Sequence, residues 1–176
     1  RMPRLIGIAQ SLPYLLEGGN ISAQEAKKVG LVHEVVPPSE LIAAAKRWLL
    51  GSPVVVQPWD QKGFKVPGGA GFANPAVATT FTGATALVAR KTLHNLPAPV
   101  TILSCVYEGT LVPIDQALEI EAKYFATLVT NPVSRNLIRT MFVNKGNADK
   151  LTVRPEGVPR SQVKKLGVLG AGMMGA

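Results

Sequence analysis

The sequence predicts a mainly α chain with at most one or two short strands. Three observations carry this expectation. Apolar residues recur at helical spacing, most plainly Ala117, Leu118, Ile120, Ala122, Phe125, Ala126 and Val129 on one face of a single segment. Prolines and glycines mostly mark the ends of such segments, as helix start and stop residues do. Only two short runs, residues 31–36 and 165–169, have the β-branched or apolar character of an extended segment.

In chain order, Arg1 to Gly7 leads into a helix over residues 7–17, with Leu12, Leu15 and Leu16 as its apolar stripe and Gly18-Gly19 as its stop. Pro13 within it predicts a kink or a late start. Ser22 and Glu25 form an S-x-x-E capping box, so a helix should run to Val29 and end at Gly30. Leu31 to Val36 should be a short extended piece ended by Pro37-Pro38. Ser39 is the expected cap of a helix over 40–50 closed by Gly51. Residues 52–75 hold Pro53, Pro58, Pro67, Gly68, Gly69, Gly71 and Pro75, a linker or extended wrap long for a compact domain. Helices are then expected over about 76–92, 99–110, 114–130 and 132–145, with Pro99 as a first helical residue and Pro113 and Pro132 just before their starts. Residues 150–163 form a second linker, and residues 165–169 a short strand running into Gly170-Ala171-Gly172-Met173-Met174-Gly175.

Composition narrows the function classes. Hydrophobic residues are 47% of the 176, enough for a core. The lone Cys105 lies in an apolar run and reads as a buried, inert thiol; one cysteine makes no internal disulfide. No apolar run is long enough to span a bilayer. The two histidines, His33 and His94, have no partner at ligand spacing, which argues against a metal site. The formal net charge of +8 is spread over scattered single and paired basic residues. A basic helical module that binds nucleic acid or a protein partner, without catalysis, is the alternative reading; the absence of a basic run or an aromatic-basic platform weighs against it. Asp115, Glu119 and Glu121 share a helix, with Glu119 and Lys123 spaced as an i,i+4 pair; a solvated face explains them better than acid-base chemistry.

Gly170, Gly172 and Gly175 are the one motif with a mechanism attached. In G-x-G-x-x-G the first glycine permits a tight turn, the second lets a pyrophosphate approach the backbone, and the third lets helix pack on strand. The amides and dipole of the following helix then hold the phosphates. The acidic residue that would bind the ribose is expected about 20 positions on, past Ala176. An opening Arg1 and an end one residue past this motif, before its helix, lead us to expect a piece of a longer chain.

Three stretches carry family resemblances. Arg1-Met2-Pro3-Arg4-Leu5-Ile6-Gly7 resembles the R-L-P-R-L-I-G segment of the enoyl-CoA hydratase/isomerase (crotonase) family. Ile21 to Pro37 resembles that family's I-S-A-x-E-A-x-x-x-G-L-V-x-x-V-V-P run, with seven or more positions in register. The glycine-rich end resembles the first βα turn of 3-hydroxyacyl-CoA dehydrogenases, with Met174 at the family methionine. The order of these pieces, and the Pro58 to Gly69 stretch between them, is similar to the fused hydratase-dehydrogenases of fatty-acid β-oxidation, the bacterial complex α subunits and the peroxisomal bifunctional enzymes.

The resemblance implies the following organisation. Residues 1–51 would be the helical C-terminal part of a crotonase-type domain, 52–75 a Pro/Gly-rich linker, 76–149 interdomain helices, 150–163 a linker, and 164–176 the first strand and turn of a Rossmann NAD-binding domain. The family's hydratase glutamates would lie before Arg1, and the dehydrogenase histidine and its glutamate after Ala176, so no catalytic residue is expected here. The parent would act on acyl-CoA substrates with NAD, in the bacterial cytoplasm, with a thiolase subunit as its complex partner. The piece itself is expected to be inactive and to bind no NAD. Helices made to cover a missing core should leave apolar surface exposed, so self-association is expected.

Overall fold

The computed structural model describes residues 1–51, 56–159, 162–170 and 172. Helices dominate, and no strand occurs among the described residues. Contacts divide the chain into two units, Arg1–Arg135 and Asn136–Ala176.

The first unit opens with two helices where the sequence suggested one. Helix α1 spans Met2–Ile6 and α2 spans Ile8–Glu17, separated by Gly7 at φ 86, ψ 162. That conformation is open only to glycine, and it breaks the chain direction without ending helicity for more than one residue. Pro13 sits inside α2, which continues past it to Gly18 in the left-handed region, as expected of a C-terminal glycine. Helix α3, Ala23–Lys28, starts where Ser22 accepts the Glu25 amide at 3.1 Å. The Glu25 carboxylate lies 3.7 Å from Lys28 instead of returning to Ser22, so half of the capping box forms. At the other end the Leu31 amide donates to the Ala26 carbonyl and the Gly30 amide to the Lys27 carbonyl, with Gly30 at φ 84. This double closure is the Schellman motif, and it is why glycine stands at that position.

Several expectations need correction here. Residues 31–36, expected as a short extended piece, pair with no second segment among the described residues and so form no strand. Ser39 caps nothing: it lies inside a 3-10 turn, Pro38–Glu40, that Pro37 and Pro38 start one residue early, and α4 follows as Leu41–Gly51. Gly51 is itself helical. The stretch taken as a linker contributes to the core. After a second 3-10 turn, Pro58–Asp60, Val66 is buried and Phe64 and Ala70 pack on the same cluster. The Pro67 carbonyl lies against Gly7, close enough that a β-carbon there would meet it at 2.8 Å.

Helix α5, Pro75–Thr92, is capped by Asn74, whose side chain accepts the Ala76 amide at 3.0 Å. Helix α6, Pro97–Leu111, begins at Pro97 and carries Pro99 in its first turn. Both prolines fit there because first-turn amides have no partner inside the helix. Val112 and Pro113 join it to α7, Ile114–Val129. The core lies between α2, α5 and α6: Ile8, Leu12, Val66, Val77, Phe81, Val88, Leu103 and Val106. Phe81 meets Tyr107 edge-on at 5.5 Å, and Phe72 stacks on Tyr107 at 4.5 Å, a geometry that aromatic quadrupoles favour. Lys91 on α5 pairs with Glu17 on α2 at 2.6 Å, an exposed contact worth little. The expected Glu119–Lys123 pair does not form.

The fourth predicted helix is interrupted. Asn131 caps α8, Pro132–Ile138, by accepting the Val133 amide at 2.8 Å. In the second unit a π-helical stretch, Arg139–Asn144, passes into α9, Lys145–Asp149. Leu137, Ile138, Met141, Phe142 and Val143 are all exposed along it. Residues 162–170 run exposed and make no strand. A single extended segment has no ladder to join, and Leu166 and Leu169 find no apolar cover within the unit.

Candidate functional site

The glycine turn is assembled only in part. Gly170 adopts φ 95, as a tight turn requires, and a β-carbon on Gly170 or on Gly172 would meet nothing within 4 Å. Gly175 lies outside the described residues. Nothing strand-like precedes the turn, and no helix amides face it among the described residues. A dinucleotide's phosphates need those amides. Of the glycine turn, Gly170 and Gly172 are the glycines among the described residues.

His33 rests against Trp48 of α4 with ring centroids 5.2 Å apart, and His94 follows the C-terminus of α5 at φ 61. No group of three or more histidine, cysteine, aspartate or glutamate residues able to hold a metal ion occurs among the described residues.

A groove of about 480 Å³ lies on the face of the α6–α7 hairpin, walled also by α1. Ile102 and Val106 line it from α6, and Ile114, Leu118 and Leu128 from α7. The helices approach most closely at Gly109, where a β-carbon would stand 3.5 Å from the Ala117 methyl. At this closed end sits Arg4, 7% exposed. Its Nη2 donates to the Gly109 carbonyl at 2.7 Å and to the Val112 carbonyl, both at the C-terminal end of α6. Those carbonyls are the negative pole of the helix and have no amide partners within it, so the guanidinium satisfies them. Burial lowers the Arg4 pKa below the ordinary arginine value. Among the described residues no carboxylate pairs with it.

Midway along the groove Cys105 faces Glu121. Burial raises the Cys105 pKa above that of a free thiol, and the Glu121 carboxylate raises it further. This agrees with an unreactive thiol, although Cys105 is half-buried rather than buried. At the rim the Tyr124 hydroxyl donates to Glu108 Oε1 at 2.6 Å, and that hydrogen bond is the main reason its pKa is raised. The sequence reading passed over Arg4. The available signal was a charged residue set between Pro3 and Leu5-Ile6 in an apolar stretch.

No family model matches the chain. Curated relatives match along nearly all of it. The "Fatty acid oxidation complex subunit alpha" of Shewanella sp. strain MR-4 is 36% identical over 176 residues, covering 99% of this chain and 24% of the relative. The proteins of the same name from Shewanella amazonensis and Shewanella oneidensis are 37% and 36% identical with the same coverage. The chain is homologous to part of these alpha subunits. It spans about a quarter of their length, 24%. The match is continuous from the crotonase-like opening to the glycine-rich end, so the resemblances to two families fall within one relative.

Proposed function

We propose that this chain belongs to an enzyme of fatty-acid β-oxidation that hydrates trans-2-enoyl-CoA and oxidises the resulting 3-hydroxyacyl-CoA with NAD, and that the chain alone performs neither step. The observation that carries this is the similarity over 99% of the chain to subunits named for fatty acid oxidation complexes. It is supported by the order of the motifs, crotonase-like segment first and dehydrogenase-like turn last. Inactivity of the chain alone is supported by its chemistry. The groove holds no pair of carboxylates set to deliver water across a double bond, and no histidine lines it. Gly170, Gly172 and Gly175 are the residues that would meet the NAD pyrophosphate once strand and helix are in place.

A complex partner of thiolase type and a cytoplasmic setting belong to the same proposal. Among the described residues no helix is long and apolar enough to cross a membrane. The test is a chimera in which this chain replaces the matching quarter of the Shewanella oneidensis alpha subunit. Hydratase and NAD-linked dehydrogenase activities should both persist. A chimera that folds, by circular dichroism and sizing, yet has neither activity would sink the proposal.

A further inference from the structure

We draw no further inference here: the strongest candidate, the exposed apolar surface patch of Leu137, Ile138, Met141, Phe142 and Val143 along the helical run that opens the second unit, carries nothing, because nothing in the structure shows what covers it.

Discussion

Gly7→Ala isolates a contact that decides whether the 52–75 stretch, read as a linker or extended wrap, packs on the fold around Pro67. Gly7 lies at φ 86, ψ 162, a region essentially restricted to glycine, and placing alanine there costs about 1–3 kcal/mol in backbone strain. The new methyl would also stand 2.8 Å from the Pro67 carbonyl oxygen, about 0.6 Å inside the closest ordinary contact distance of 3.4 Å. That oxygen is backbone and cannot rotate away. Moving it displaces Val66, which is buried in the core, and such overpacking costs about 1–3 kcal/mol more. The expected loss is therefore about 4 kcal/mol, from the sum of the two effects. Gly18→Ala is the matched control. It has φ 62 and open space around it, so only the left-handed strain of about 1 kcal/mol applies. Urea unfolding followed by far-UV circular dichroism would measure both variants. A difference of about 3 kcal/mol is expected, about 2 of it from the Pro67 contact and about 1 from the costlier backbone region at Gly7. Losses equal within about 0.5 kcal/mol would refute the packing of that segment on α2.

Phe81→Ala removes the ring at the centre of the Phe72–Phe81–Tyr107 cluster, 4% exposed, and should cost about 3–5 kcal/mol, enough to abolish a cooperative transition. Leu93→Gly should stabilise by about 0.5–1 kcal/mol, because Leu93 is 73% exposed and holds the left-handed cap of α5 at φ 47; an unchanged or lower melting point would count against that cap. The folded-state pKa of Cys105 is raised, so its neutral thiol is favoured, and any stability it contributes is full below the unfolded thiol pKa and is lost as pH rises through the folded one. Alkylation by iodoacetamide at mildly alkaline pH should accordingly be slower in the folded chain than in urea, and equal rates would refute the shift. Exposed Leu41, Ile42, Leu49 and Leu50 on α4 predict concentration-dependent self-association, which a strictly monomeric sedimentation profile across a wide concentration range would exclude.

Helix content and most helix ends were legible because they are set locally. Gly18 and Gly30 stop α2 and α3 by adopting positive φ, and Ser22 starts α3 with one hydrogen bond three residues long. Proline misled where two stood together. Pro97 and Pro99 each suit a first turn, and nothing local says which comes first; likewise Pro37-Pro38 opened a 3-10 turn that took Ser39 out of its capping role. Asn74 and Asn131 are caps that the reading of the sequence did not name, each an asparagine directly before a proline at the first helical position. The strand expected at 165–169 failed for a different reason. Extended structure is a property of pairs of segments, and a sequence run can announce only one member of the pair.

What the sequence hid was long-range. Residues 64–70 look like a linker because glycine and proline punctuate them, yet punctuation describes backbone shape and not burial; Val66 is core because it meets α2, α5 and α6. Arg4 is the sharper case. Its partners, Gly109 and Val112, lie more than a hundred residues away, and both are backbone carbonyls, so no side-chain complementarity in the sequence points to them. A charged residue can be buried in this way because the unpaired carbonyls at a helix end form an acceptor site that depends on where the helix stops and not on which residues stop it. The end of α6 is fixed locally by Val112-Pro113, and only the tertiary fold brings α1 to it. The same event closes one end of the groove at Gly109 and sets a cation there. The groove's polarity is thus a by-product of helix termination, which is why neither the apolar stripe of α7 nor the basic composition could foretell it.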